Sequence, residues 1–188
     1  MLLEEDIKTY FNHFNLPEKF LSLVEFDRNI AKGERFSEGF ELSLQTDKFG
    51  LKTYSGNEEF LNSIYEFSLA DGTGSTYAFW VKNGESNLAE MPIIAFGSEG
   101  GFHVVANNFD EFLQILTFDS EPMIDWDSIN YFKSPEYDEP SARVEDYINW
   151  LKSACNLLPI SDANSIVENA QKNHKDSLQK WFNKFYNH

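Results

Sequence analysis

The chain has 188 residues, enough for one domain with a substantial core and short for two. Apolar residues make up 41%, and the 18 Phe, 8 Tyr and 4 Trp predict an aromatic interior, which excludes disorder through lack of hydrophobicity. A formal charge of -16 argues against a nucleic-acid-binding protein, because phosphate contacts require clustered Lys and Arg. The excess of acid has two interpretations: ordinary solubility, or attraction to a basic protein partner.

The cellular compartment is predicted from features that the sequence lacks. A single cysteine allows no intrachain disulfide, and no Asn-x-Ser/Thr glycosylation acceptor is present. No apolar run approaches the roughly 18 residues of a membrane span. The first residues, Met-Leu-Leu-Glu-Glu-Asp, are unlike the basic start of a signal peptide. We therefore expect a cytoplasmic protein that does not contact a membrane.

The N-terminal part of the chain changes between helical and strand periodicity. Apolar spacings of three and four predict helices over residues 2–14 and 17–26. Spacing by two then predicts a strand over residues 38–46, and residues 51–54 are predicted to form a short return strand. A further helix is predicted over residues 57–71, beginning at an Asn cap and ending at Asp-Gly.

Residues 76–116 form the block around which the rest of the chain is organised. Three short runs rich in β-branched and aromatic residues predict strands at 77–81, 92–96 and 102–106. The breaks between them are short and turn-rich, which favours antiparallel pairing, because a parallel crossover needs about a dozen residues or more. An amphipathic helix, capped by Asn108, completes the block.

The remainder of the chain is predicted to pack on this block. Residues 117–142 contain three prolines and are predicted to be irregular, whereas residues 143–186 carry two amphipathic helices. The order of elements predicts the α+β class, with a largely antiparallel central sheet packed with helices from both termini. We expect a single domain over residues 1–188, with its core at residues 16–116.

No motif predicts a catalytic residue, a cofactor site or a metal site. Cys155 lies on the apolar face of a predicted helix, where a free thiol behaves as a small hydrophobe. The four histidines fall in no zinc-binding spacing. Residues 71–75 (Asp-Gly-Thr-Gly-Ser) differ from an aspartic-protease loop by an inserted Gly, and are predicted to link a helix to a strand. Residues 97–101 lack the Lys of a phosphate loop and are predicted to be a hairpin turn.

Residues 117–142 combine the densest acid of the chain with interleaved aromatic side chains. Aromatic anchors among carboxylates suit a basic protein partner, so this segment is the candidate partner-binding surface. The alternative is a solvated loop whose aromatic side chains pack beneath the domain. The candidate partner-binding residues are Asp119, Glu121, Asp125, Trp126, Asp127, Tyr131, Glu136, Tyr137, Asp138 and Glu139.

Three stretches carry a resemblance to a known family. An early Leu-Pro helix begins at residues 16–21, paired central strands follow at 77–80 and 92–97, and residues 102–113 lead from a strand into a Phe-x-x-Phe-Leu helix. Over residues 16–116 this order resembles the SUKH superfamily of bacterial immunity proteins, which includes relatives of the yeast glucan-synthesis regulator.

The resemblance implies an α+β fold with a largely antiparallel sheet, no catalysis, and neutralisation of a cognate toxin. Such toxins are often nucleases or deaminases delivered by a neighbouring bacterium, and the excess of acid fits a basic nuclease. We expect no cofactor, and neither nucleic acid nor membrane as a partner. Two other functions stay open: a small hydrolase or transferase that uses carboxylates, and a regulatory scaffold like the eukaryotic relatives.

Overall fold

The computed structural model of the protein describes residues 3–82, 84–134, 136 and 138–186, and it confirms the α+β class. The α-helices are α1 (Glu4–Tyr10), α2 (Glu18–Phe26), α3 (Phe49–Tyr54), α4 (Glu58–Leu61), α5 (Phe109–Ile115), α6 (Val144–Ala154) and α7 (Ala163–Phe182). The strands are β1 (Glu41–Leu42), β2 (Ile64–Leu69), β3 (Thr76–Trp80), β4 (Ile93–Phe96), β5 (Phe102–Ala106), β6 (Pro122–Ile124) and β7 (Ile129–Tyr131).

The central sheet is a meander in which strands adjacent in sequence are adjacent in space. Its order is β1-β2-β3-β4-β5, and every neighbouring pair is antiparallel. The predicted central strands are therefore confirmed, and the short breaks between them are turns. The strand predicted over residues 38–46 is reduced to the two residues of β1.

One face of the sheet carries the larger, aromatic part of the core. Strand alternation directs Tyr77 and Phe79 to this face, and α1, α2, α5 and α6 cover it. Phe79 lies between Phe67 and Phe109, with ring centroids 4.8 Å and 5.6 Å away. The packed rings account for the high Phe content of the sequence, because each one buries a large apolar area.

The opposite face carries a smaller core, beneath α3, α4 and the C-terminal half of α7. Ala78 and Trp80 alternate with Tyr77 and Phe79 along β3, so their side chains point to this opposite face. Phe182 at the end of α7 stacks on Phe102 of β5, with ring centroids 3.6 Å apart. The predicted packing of C-terminal helices on the central block agrees with these contacts.

Two secondary-structure predictions before residue 72 are wrong. Residues 51–54 belong to α3 and not to a return strand. Lys48, the residue before this helix, has the left-handed conformation (φ 52°). Asn57 does cap a helix, accepting hydrogen bonds from the backbone N of Glu59 and Phe60, but that helix is the four-residue α4. The remainder of the predicted helix, residues 64–69, is β2.

The cause of the second error is the spacing of Ile64 and Phe67. The two residues are three apart, as on one face of a helix, yet they lie on opposite faces of β2. A β-bulge between Glu66 and Ser68 lies close to Phe67. Pairing of β2 with strands on both sides outweighs the helical pattern, since strand preference depends on tertiary context.

Candidate protein-binding surface

Residues 117–142, predicted to be irregular, contain an ordered hairpin. β6 pairs antiparallel with β7, with Met123 opposite Asn130, and the turn closes where the backbone N of Asp125 donates to the carbonyl of Ser128 at 2.9 Å. Side chains alternate between the two sides of this hairpin. The buried ones are Pro122, Ile129 and Tyr131, and the exposed ones include Met123 and Asn130.

Asp119 fixes the start of this segment. It has the left-handed conformation (φ 57°), and its side chain is almost completely buried. The carboxylate accepts four hydrogen bonds: from the backbone N of Glu38 (2.9 Å), from Ser141 N (3.0 Å) and hydroxyl (2.6 Å), and from the Lys133 ammonium (2.7 Å). Burial opposes ionisation, but these bonds outweigh it and hold the pKa of Asp119 below its usual value. Asp119 is thus an internal anchor, and its carboxylate is not available to a partner.

Tyr131 is buried as well and docks the hairpin on α7. Its hydroxyl lies 2.7 Å from the hydroxyl of Tyr77 in the core. The side-chain amide of Asn164, in the first turn of α7, brackets the Tyr131 backbone: it accepts from N and donates to O, each at 2.9 Å. Desolvation raises the pKa of Tyr131 above its usual value. This residue is removed from the candidate surface.

The tip of the hairpin packs on the turn between β4 and β5. The buried His103 donates from Nε2 to the Asp125 carbonyl at 2.7 Å, and burial lowers the pKa of its imidazole. Trp126 lies directly against Gly100, where φ is +109° and a Cβ atom would overlap the indole ring. Asp125, Trp126 and Asp127 are exposed, but none of them lines the open depression beside the hairpin.

An open depression of about 750 Å³ lies beside the hairpin. Two large apolar side chains line it in exposed positions: Met123, at 55% exposure, and Phe132, at 66%. The other lining residues are Glu38, Asp119, Ser120, Glu121, Ser134, Asp138 and Glu139. We call it the Met123–Phe132 depression. Exposed apolar side chains with a polar rim are the composition that protein interfaces bury.

The rim of the Met123–Phe132 depression is negatively charged. Lys133 is engaged by the buried Asp119, and Arg35 pairs with Glu38 at 2.8 Å. Burial together with the neighbouring carboxylates of Glu38 and Asp71 raises the pKa of Glu121, against a hydrogen bond from the backbone N of Gly72. The described residues contain no ion pair to Glu121, Asp138 or Glu139.

Three of the predicted partner-binding residues line the depression in accessible positions: Glu121, Asp138 and Glu139. Glu136 is exposed outside the lining, and Tyr137 lies outside the described residues. Five lining residues were missed by the sequence-based selection: Glu38, Ser120, Met123, Phe132 and Ser134. The alternation of β6 and β7 could have indicated Met123 as the outward residue between Pro122 and Ile124, whereas no local pattern places Glu38 here.

Other motifs in the described part of the chain have structural roles. Asp71 Oδ1 accepts from the backbone N of Thr73, Gly74 and Ser75, which makes residues 71–75 a polar turn between β2 and β3 and not the predicted link after a helix. Cys155 lies in the main core, where burial raises the pKa of its thiol to about 11. Among the described residues, no group of three or more His, Cys, Asp or Glu is placed to hold a metal ion.

Comparisons with protein-family models, with curated proteins and with solved structures found no match to this chain. Within the described ranges, none of the helices has the length and apolar character that crossing a membrane requires.

Proposed function

We propose that this protein is a non-enzymatic immunity protein of the SUKH type, which binds a basic toxin and occludes its active surface. The observation that carries the proposal is the Met123–Phe132 depression, where two exposed apolar side chains lie beside three carboxylates, Glu121, Asp138 and Glu139, that have no ion pair among the described residues. The resemblance of residues 16–116 to the family, and the antiparallel sheet that it implies, support the same function.

The two kinds of residue have different tasks in this proposal. Apolar anchors such as Phe132 supply affinity when a partner covers them, because a few well-buried side chains carry most interface energy. The carboxylates of the rim, together with the net charge of -16, accelerate encounter with a basic surface. A nuclease toxin, whose active surface must attract phosphate, has the charge that this rim would select.

The alternative function, a small hydrolase or transferase that uses carboxylates, requires convergent catalytic groups. One cavity does contain a buried carboxyl group, that of Glu66, and Glu99 also lines it. The side-chain donor to Glu66 in the described chain is the hydroxyl of Thr76.

Growth rescue tests the proposal. The neighbouring gene is cloned, and where it encodes a toxin we expect co-expression of this chain to restore growth. Phe132→Ala should weaken purified-complex affinity by about tenfold or more, since it removes an apolar anchor. Leu158→Ala is the matched control, because Leu158 is 71% exposed and does not line the depression. Failure of the unaltered chain to bind or rescue would overturn the proposed function.

The salt dependence of the affinity tests the electrostatic part of the mechanism. Affinity should fall between about 0.05 M and about 0.5 M NaCl, because salt screens charges at an exposed rim. Glu139→Lys should reduce the association rate more than Glu168→Lys, which changes an exposed carboxylate of α7 outside the depression. Equal association rates for the two variants would contradict the role of the rim.

A further inference from the structure

A second cavity, of about 710 Å³, opens on the face of the central sheet that α7 covers in part. Its floor includes Glu66 of β2, Thr76 of β3 and Phe96 of β4. Its walls are α3, the turn over residues 97–101, and the aromatic side chains Trp126 and Tyr186. It shares no lining residue with the Met123–Phe132 depression, so the two sites can be tested separately.

The floor contains a carboxyl group that is only half satisfied. Glu66 is 3% exposed, and its Oε1 accepts a hydrogen bond from the Thr76 hydroxyl at 2.6 Å. Its other oxygen, Oε2, is buried and has no hydrogen-bond partner among the described residues. Such an atom costs free energy comparable to that of a lost hydrogen bond. A ligand with a donor group would satisfy it.

Glu66 occupies a position in the sheet where an apolar residue would be expected. It shares a face with Ile64 and pairs with Ala78, and both of these residues belong to the apolar core. A strand residue between core positions is ordinarily apolar, because a buried carboxyl must be desolvated. This desolvation raises the pKa of Glu66 above its ordinary value.

Aromatic rings surround the opening. The Tyr54 ring lies 5.5 Å from that of Phe96 and 6.3 Å from that of Tyr186, measured between centroids. Phe49 and Trp126 also line the cavity and are 75% and 57% exposed. Aromatic faces attract cations through the negative charge of the ring face, most strongly where water is excluded.

The charges around the cavity have one sign. Glu66 and Glu99 are among the described lining residues, and no Lys, Arg or His is. Lys48 interacts electrostatically with Glu66, but its ammonium donates to the backbone carbonyls of Leu61 and Ile64 outside this lining. Carboxylates combined with aromatic walls select an organic cation.

We infer that this cavity binds a primary alkylammonium group, with Oε2 of Glu66 as its acceptor and the rings of Tyr54, Phe49 and Trp126 packed around the alkyl chain. An ammonium fits better than a guanidinium, because Oε1 is already engaged by Thr76 and a single free oxygen cannot accept a bidentate fork. The ammonium can come from a free amine or from a lysine side chain of another protein.

Titration of the full-length protein with small probes tests this site. We expect n-butylammonium to shift the amide NMR signals of Thr76 and Gly100, with a dissociation constant on the order of 1 to 10 mM for so small a ligand. 1-Butanol and n-butylguanidinium should bind at least about tenfold more weakly. Absence of shifts with n-butylammonium, or equal binding of 1-butanol, would overturn the inference.

Glu66→Gln should weaken n-butylammonium binding by at least about tenfold, because the amide is neutral and presents a donor where the ligand needs an acceptor. Glu168→Gln, an exposed change on α7 outside the cavity, should leave it unchanged. Unchanged affinity in Glu66→Gln would overturn the assignment of the acceptor.

The source of the ammonium is distinguished by a second probe, Nα-acetyl-lysine N-methylamide. If this probe binds with an affinity equal to that of n-butylammonium, the ligand is a lysine of a partner protein. If the larger probe binds more weakly than n-butylammonium, the ligand is a free amine. Toxin binding by Glu66→Gln is measured in parallel, so that failure of this site and failure of the proposed function give separate results.

Discussion

Asp119 and Glu66 are buried to the same degree, with 4% and 3% of their surface exposed, but their surroundings differ. Asp119 accepts four hydrogen bonds, one of them from an ammonium. Glu66 accepts one from a neutral hydroxyl, and its Oε2 has no partner among the described residues. The pKa of Asp119 is correspondingly lowered, and that of Glu66 is raised.

The difference separates a carboxylate that holds the fold together from one that is available to a ligand. Each donor to Asp119 comes from a different part of the chain: Glu38 before β1, Lys133 after β7, and Ser141 before α6. No comparable set of donors meets at Glu66, although it lies between two strands of the central sheet. Burial alone therefore does not distinguish the two roles, whereas the number of donors does.

Among the replacements that keep the size of the side chain, the largest expected effect is that of Asp119→Asn. The amide NH2 would face the two groups that now donate to Oδ2, and Lys133 would lose its counter-charge. We therefore expect the free energy of unfolding to fall by about 3 kcal/mol. The shift is measured as a lower urea midpoint. Asp127→Asn, at an exposed position of the hairpin tip, is the control and should change stability by less than about 0.5 kcal/mol. Equal midpoints for the two variants would refute the anchoring role.

Glu66→Gln should have the opposite sign and stabilise the protein by about 1 kcal/mol at pH 7, because burying a neutral amide costs less than burying a carboxylate. The pKa of Glu66 in the folded protein is above its ordinary value of 4.5, so protonated Glu66 favours folding. That contribution is fully present below pH 4.5 and is lost as the pH rises through the folded-state pKa. The advantage of Glu66→Gln should therefore disappear in urea titrations near pH 4, and destabilisation at pH 7 would contradict the comparison.

The central block was predictable because each of its strands is one short run rich in apolar residues between turn residues. Residues 77–81, 92–96 and 102–106 correspond to β3, β4 and β5 within a residue or two, and Asn108 caps α5 by accepting from the backbone N of Glu111. In these places the local pattern and the tertiary pairing agree. At β2 they disagree, because Ile64 and Phe67 have helical spacing and only pairing with neighbouring strands makes them extended.

The candidate surface was predictable only as a region. Composition indicated acid and aromatic residues after Leu116, but it did not separate the buried Asp119 and Tyr131 from the accessible Glu121. Their burial depends on partners far along the chain, such as Tyr77 for Tyr131. Glu66 was missed for the same reason: a helix over residues 57–71 would have left it among the polar residues between the apolar positions of that helix, whereas β2 directs it into the sheet.

A smaller effect is expected from His103, which joins the central sheet to the hairpin tip. Desolvation lowers its pKa from the ordinary value of 6.5, so the neutral imidazole favours folding. This stability is present above pH 6.5 and is lost as the pH falls from there towards the folded-state pKa. His103→Gln should flatten urea stability between about pH 7 and pH 5.

The pKa of His174 is also lowered, by burial and by Lys82, so His174→Gln serves as a parallel variant. Each histidine should account for its own part of the pH dependence, and the double variant should remove both. A pH profile that persists unchanged in His103→Gln would show that the hairpin tip does not depend on the neutral imidazole.

The smallest effect on stability is expected from Phe132→Ala, although the same change should weaken partner binding most. Phe132 is 66% exposed, so its truncation removes little buried surface, and stability should change by less than about 0.5 kcal/mol. Tyr131, its neighbour in sequence, is 3% exposed and bonded to the core, so Tyr131→Ala should cost about 3 kcal/mol or more. Urea midpoints of the two variants test whether, at the end of β7, a structural side chain (Tyr131) is followed directly by a binding side chain (Phe132). A large loss of stability in Phe132→Ala would assign this ring to the fold and leave Met123 as the only apolar anchor among the described lining residues of the depression.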